Sequence, residues 1–196
     1  MLLVGLAVIG GVAFNYIVKS RRHASKLTCV ENLKFIGVCE RGYAEDHNGN
    51  FPWMLSTTLG GSLEYCGMGG QTFRHFQVQS NYIQMRDGII CPQDARRAAM
   101  SWVDLANTNV SYFVGLDSKP DLRMSIVAGD RNITPDSSVT LQANQSTPPS
   151  WVKSVGLHAD RGHLAFSDGH VEELDSVGLA SAIQQTGILT NHFAVP

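Results

Sequence analysis

A run of thirteen residues near the carboxyl end concentrates side chains that could do chemistry. It holds three histidines and two aspartates, which are His158, Asp160, His163, Asp168 and His170. Imidazole and carboxylate ligands suit zinc or a similar transition ion, whereas calcium wants more oxygens than two carboxylates supply. The same residue types also fit turns and loops that bind nothing. We therefore expect no cofactor and no metal ligand, with calcium or zinc at these five positions as the alternative.

Other kinds of chemistry are not indicated. The sequence contains no Gly-x-Ser-x-Gly elbow, no P-loop and no His-Glu-x-x-His motif, so we predict no catalytic residue and no enzyme. A formal net charge of -2, without a basic stripe, gives no reason to expect nucleic acid as a partner. The alternative function is that of a non-assembling envelope protein with a metal- or sugar-binding head, or of a metal-dependent hydrolase.

The elements around this run are short strands. Residues 163–167 and 170–174 read as the two strands of a hairpin, because Asp168-Gly169 is a preferred turn pair. Along the first of these strands Leu164 and Phe166 should face one side and His163 the other. Segments rich in apolar and β-branched residues at 109–115 and 125–132 predict two further strands, the second of which ends at a polar turn. A short helix after Ser176, stopped by Gly187, is expected to follow the hairpin.

The first part of the chain predicts one long helix. Residues 2–18 are apolar and uncharged, residues 19–26 are basic, and no proline occurs before Pro52. At about 1.5 Å per residue the apolar run spans roughly 25 Å, near the thickness of a bilayer core. We predict a membrane anchor with a basic flank at 1–26 and a globular head at 27–196. Within the head, residues 27–47 form the amphipathic half of the helix and 48–196 a β-rich region. A secretory signal peptide and a buried core helix are the alternatives.

Two segments carry a resemblance to a known family. CVENLKFIGVCERGYAEDHNGNFPW resembles the C-x-x-N-L-K-x-I-G…Y-x-x-D-x-x-G-x-x-P segment of bacterial proteins with prepilin-type N-termini. Residues 91–94 resemble the Cys-Pro-x-Asp element of that family, and residues 158–169 its H-x9-DG element. The matching positions are Cys29, Asn32, Leu33, Lys34, Gly37, Tyr43, Gly49, Pro52, Cys91, Pro92, His158, Asp168 and Gly169.

The resemblance implies both a fold and a function. The expected fold is α+β and pilin-like, with a long N-terminal helix, apolar in its first half, packed on a small antiparallel β-rich head, and a short C-terminal helix. The expected function is non-enzymatic, as a subunit of a type II secretion or type IV pilus-like system that acts through helix packing. The implied place is the bacterial inner membrane, single-pass, with the head in the periplasm or in a pseudopilus. The implied partners are membrane lipid, through residues 2–18, and other pilin-like subunits or secretion components.

The four cysteines leave the disulfide pairing open. Cys29 and Cys39 lie about 15 Å apart on the presumed helix, too far to bond to each other. Cys91 could pair with Cys66, or with Cys29 where the head packs on the helix. Small buried hydrophobic side chains are the other interpretation.

Overall fold

A computed structural model describes the backbone of residues 2–134, 139–142, 148–153 and 157–196, and the side chains of these except at 2–19, 21–24 and 139–142. The helices are α1 (Leu2–Asp46), α2 (Thr72–Gln77) and α3 (Ser176–Gln185). Short 3₁₀ helices lie at Pro52–Met54, Thr57–Leu59, Leu63–Tyr65, Arg86–Ile89 and Asn107–Asn109. The strands are β1 (Tyr112–Gly115), β2 (Ile126–Asp130), β3 (Ile133–Thr134), β4 (Val139–Gln142), β5 (Ser150–Trp151), β6 (Arg161–Phe166), β7 (Val171–Asp175) and β8 (Thr190–Ala194).

The main sheet has six strands in the order β4-β8-β1-β2-β6-β7, and every neighbouring pair is antiparallel. Strands β3 and β5 form a separate antiparallel pair. Strand β7 lies at one edge of the main sheet, where Glu172 and Glu173 are solvent-exposed. The hairpin of β6 and β7 and the strands β1 and β2 lie where the sequence predicts strands.

Both faces of the sheet are covered. On one face Val114, Ala128 and Ala165 join a core with the buried side of α1, and on the other face Phe113 and Leu164 pack with α3. Double coverage explains why β1 and β2 are buried along their whole length and read as continuous apolar runs instead of alternating ones. A cluster that faces α1 from the middle of this sheet is therefore removed from water.

The described part of α1 has a narrow apolar side. Cys29, Leu33 and Ile36 are fully buried at the spacing of one helical face. The helix ends where Asn48 and Gly49 adopt left-handed backbone angles and the Gly49 N–H bonds to the Ala44 carbonyl at 2.8 Å. This helix packs on β2, β6, β7 and the 3₁₀ helix at Arg86–Ile89.

The predicted fold class, a pilin-like fold in which a half-apolar N-terminal helix packs on a small β-rich head, is wrong. Among the residues that the structure describes, no helix is long and apolar enough to cross a membrane. The side chains of α1 that are described, at 25–46, form an amphipathic segment on a six-stranded sheet, followed by loops and 3₁₀ helices before the first strand. Its charged side chains are Lys26, Glu31, Lys34, Glu40, Arg41, Glu45 and Asp46.

The predicted membrane placement is corrected by the same finding. Residues 2–18, the expected lipid anchor, belong to α1 by their backbone, and their side chains lie outside the described residues. The transmembrane helix and the single-pass inner-membrane placement with a periplasmic head were inferred from that run, and both predictions are wrong. The prediction used the hydropathy of that run alone, whereas the part of the same helix whose side chains are described at 25–46 is amphipathic and packs on the sheet.

Candidate functional site

The candidate site lies on the face of the sheet that α1 covers. Asp130 is the last residue of β2, and His163 lies on the adjacent strand β6. His158 comes from the loop that leads into β6. The side chains of Asp130 and His158 are 0% exposed and that of His163 is 1% exposed. Three ionisable groups are thus held together away from solvent.

One carboxylate oxygen organises the cluster. Asp130 Oδ2 accepts a 2.8 Å hydrogen bond from the His163 backbone N–H and lies 2.8 Å from His163 Nδ1. The same oxygen is 3.5 Å from His158 Nε2. The two imidazole rings meet nearly perpendicularly, with their centroids 4.6 Å apart. Both rings therefore direct a nitrogen toward a single oxygen.

Backbone strain is concentrated beside the cluster. His158 and Ala159 both have positive φ, at 40° and 57°, which is unfavourable by about 1 kcal/mol or more for each residue. The buried Asn132 side chain holds this loop, since its Nδ2 donates to the carbonyls of Leu157 at 3.2 Å and Arg161 at 2.9 Å. The fold thus keeps His158 in an unfavourable conformation that aims its ring at Asp130.

Polar atoms of the cluster are left unpaired. Asp130 Oδ1 and His158 Nδ1 are buried and have no hydrogen-bond partner within the described part of the chain. A buried polar atom without a partner costs about 1–3 kcal/mol, and such atoms in native proteins commonly mark a water or ion site. Burial lowers the pKa of His158, which the negative charge of Asp130 partly offsets. The neutral imidazole is the form that ligates metals.

A disulfide lies against the cluster. Cys29 of α1 is bonded to Cys91, and Cys91 Sγ is 3.3 Å from His158 Nε2. The pairing of Cys91 with Cys29 is one of the two that the sequence left open; Cys39 and Cys66 are free thiols. The bond spans a sequence separation of 62 residues, so in the chain-entropy description it stabilises the fold by roughly 4 kcal/mol.

The structure brings together only two of the five metal candidates taken from the sequence, His158 and His163. Asp160 is exposed and pairs with Lys153 at 3.4 Å. Asp168 and His170 form a separate hydrogen-bonded pair at the β6–β7 turn. There the Asp168 side chain accepts from the His170 N–H at 3.2 Å, which is a local turn function.

Sequence reasoning missed Asp130 as the partner of the two histidines. Its only local signal is its position, as an acidic residue that ends the buried apolar strand Ile126–Asp130. An ionisable side chain in such a place needs a partner, so this position could have indicated a buried polar site, although not which residues complete it.

The residues of the family resemblance have identifiable structural roles. Asn32 Nδ2 donates to the Ile90 carbonyl at 2.8 Å, and the Tyr43 hydroxyl donates to the Gly60 carbonyl at 3.1 Å. Arg131 forms a two-point ion pair with Asp94, which follows Cys91 and Pro92, at 2.7 and 2.8 Å. Leu33 and Pro52 are buried, and Lys34 is exposed. Gly37 lies within α1, whereas Gly49 and Gly169 adopt positive φ.

The arrangement offers three donor atoms to one ligand. The donor atoms of Asp130, His158 and His163 all lie within 4.8 Å of one another, and all three residues are buried.

No protein-family model, no curated protein and no solved structure matches this chain.

Proposed function

We propose that this chain is a non-catalytic protein that binds a transition-metal ion through Asp130, His158 and His163. Zinc is the ion that fits these ligands best. The observation that carries the proposal is the convergence of three buried donors, with ring nitrogens 2.8 and 3.5 Å from one carboxylate oxygen. Zinc–ligand bonds of about 2.0–2.2 Å place tetrahedral ligands roughly 3.3–3.6 Å apart. The 3.5 Å separation fits this range, and the 2.8 Å hydrogen-bond contact would lengthen by about half an ångström when the ion replaces the proton. The unpaired Asp130 Oδ1 offers an additional oxygen.

A structural rather than a catalytic metal is supported by the closure of the site. Catalytic zinc keeps a position open to water or substrate, whereas structural zinc is enclosed by protein. Here the ligands lie between α1 and the sheet, and all three are essentially unexposed. The expected role of the ion is to hold the loop at His158 and strand β6 against β2.

The test is metal content and metal-dependent stability of the purified full chain. We expect near-stoichiometric zinc after dialysis. After a chelator has removed the ion, adding Zn²⁺ back at a free concentration a hundredfold above Kd should raise the unfolding temperature and increase the free energy of unfolding by about 2.7 kcal/mol. Asp130→Asn should abolish both effects, and Asp160→Asn, which changes an exposed aspartate near the same loop, should leave them intact. Background zinc and no thermal shift in the wild-type protein would contradict the proposal.

We propose packing of α1 against a second copy of the chain as a further function. It is supported by Leu27 and Val38, which are 54% and 58% exposed and, being eleven residues apart, lie on one face of the helix. Glu31 and Lys34 on that face are paired with each other at 3.1 Å. Sedimentation should show self-association that Val38→Glu weakens and Val177→Glu, an exposed valine of α3, does not. A monomer at all concentrations would exclude this function.

A further inference from the structure

We infer that the Cys29–Cys91 disulfide controls the metal site, and that on reduction the Cys91 thiolate becomes the fourth ligand. This inference rests on the proposed metal-binding function and adds its regulation. In the reduced state the ligand set would be Asp130, His158, His163 and Cys91, which has the four protein ligands that a closed structural zinc site requires.

The shared position of His158 supports the inference. Its Nε2 is 3.3 Å from Cys91 Sγ and 3.5 Å from Asp130 Oδ2, so the same nitrogen adjoins both groups. The donor atoms of Cys29, Cys91 and His158 lie within 4.8 Å of one another, as do those of Asp130, His158 and His163. All of these residues are buried. His158 is the residue common to both groups, so the Cys91 thiolate, once released from Cys29, must turn toward the ion from the His158 side of the cluster.

The chemistry of the switch is thiol–disulfide exchange. Two equivalents of a small-molecule thiol reduce the Cys29–Cys91 bond, which yields two cysteine thiols and one equivalent of the small-molecule disulfide. Metal binding then displaces the proton of the Cys91 thiol, and the resulting thiolate donates to the ion. A disulfide oxidant reverses the exchange: the thiolate leaves the metal, the S–S bond re-forms, and the ion keeps only the aspartate and histidine ligands.

The location of the bond determines when the exchange occurs. Cys29 and Cys91 are both 0% exposed and join α1 to the segment after Arg86–Ile89. A small-molecule thiol reaches the bond only when α1 separates from the sheet and from the 3₁₀ helix at Arg86–Ile89. This separation occurs either during folding or in a partial opening of the folded protein. The oxidation state is consequently fixed by the conditions under which the helix docks.

The experiment uses Co²⁺ as a spectroscopic probe in full-length variants. Cys29→Ser leaves a permanent thiol at position 91, and the double variant Cys29→Ser, Cys91→Ser lacks the bond in the same way but offers no sulfur. We expect a thiolate-to-cobalt charge-transfer band in Cys29→Ser but not in the double variant or the oxidised wild type. Cys29→Ser should also bind Co²⁺ at least about tenfold more tightly than those two forms. The wild type refolded with a phosphine reductant and Co²⁺ should show the same band, which covers the case in which Cys29→Ser fails to fold.

The failures of the two proposals are distinguishable. Co²⁺ binding of equal strength in all forms, without a charge-transfer band in Cys29→Ser or the reduced wild type, would overturn the redox inference and leave the Asp130 site in place. Absence of Co²⁺ binding from every form, with Asp130→Asn indistinguishable from the wild type, would overturn the metal site itself.

Discussion

Glu40 of α1 should make the protein less stable as the pH rises toward 8. Its side chain is almost completely buried, and its one hydrogen bond among the described residues is from Gln79 Nε2 to Oε1 at 2.7 Å. Glu40 Oε2 and Gln79 Oε1 have no partner there. Burial raises the pKa of Glu40 to about 8 from the ordinary 4.5, and the Gln79 hydrogen bond only partly opposes it. The native state therefore retains a proton that the unfolded chain has released.

The sign and size of the effect follow from that difference. The folded form binds the proton more tightly, so the contribution of Glu40 is fully favourable below pH 4.5 and is lost as the pH rises to about 8. At about 1.4 kcal/mol per pH unit, the loss has a ceiling of roughly 5 kcal/mol. His75 acts in the opposite direction at lower pH, because burial lowers its pKa from 6.5 to about 4. The net decline should accordingly appear between pH 6.5 and 8.

Glu40→Gln tests this reasoning by urea unfolding from pH 5 to 8.5. The amide cannot ionise, and its oxygen can keep the hydrogen bond that Glu40 Oε1 accepts from Gln79 Nε2. We expect a gain of several kcal/mol at pH 8 that shrinks toward pH 5. Glu31→Gln, on the exposed side of the same helix, should change stability by less than about 1 kcal/mol at any pH. Equal pH profiles for the wild type and Glu40→Gln would show that Glu40 is ionised in the native state.

Three further outcomes are expected. Asp94→Asn should cost about 3 kcal/mol in urea unfolding, because it leaves the largely buried Arg131 without its ion-pair partner. Gly115→Ala should lower stability by at least about 2 kcal/mol, since a Cβ there would lie 1.8 Å from a backbone oxygen of β2 and would force the strands apart. The Cys66 thiol should react slowly with iodoacetamide at pH 8, because burial raises its pKa to about 11 and roughly one thiol in a thousand is ionised.

Each of these has a matched control. Asp160→Asn removes an exposed aspartate and should be nearly neutral. Gly37→Ala introduces a Cβ with no atom within 4 Å and should be neutral or stabilising by up to about 1 kcal/mol. A cysteine-containing unstructured peptide sets the reference rate for alkylation. Wild-type stability in Asp94→Asn or Gly115→Ala, or alkylation of Cys66 at the peptide rate, would contradict the corresponding contact.

Local pattern was enough for several strands and for one hairpin. The apolar, β-branched residues of β1 and β2 and the Asp168-Gly169 turn lie close together in sequence, so their preferences are expressed without knowledge of the rest of the chain. The alternation along β6 also came out as predicted, with Leu164 in the core beneath α3 and His163 on the opposite face.

The residues that form the site could not be predicted from local sequence pattern. Asp130 and His163 are 33 residues apart and meet only because β2 pairs with β6, although β3, β4 and β5 lie between them in the chain. The sequence assigned His163 to the face opposite Leu164 but did not indicate that α1 covers that face or that Glu173 lies across the hairpin. The pilin-like interpretation failed for a related reason, since composition along one segment does not specify which surfaces that segment meets.

The position of β7 at the margin of the sheet limits how copies of the protein can associate. A strand added to the sheet beside β7 would meet Glu172 on one face of the sheet and Glu173 on the other. Neither face of this edge therefore offers an added strand an uncharged surface. Lys26 reaches over from the helix and bonds to Glu173 at 2.8 Å, which occupies that approach further. Assembly of several copies into a continuous sheet through the β7 edge is therefore disfavoured. Association is instead favoured at surfaces where side chains, and not backbone groups, make the contact.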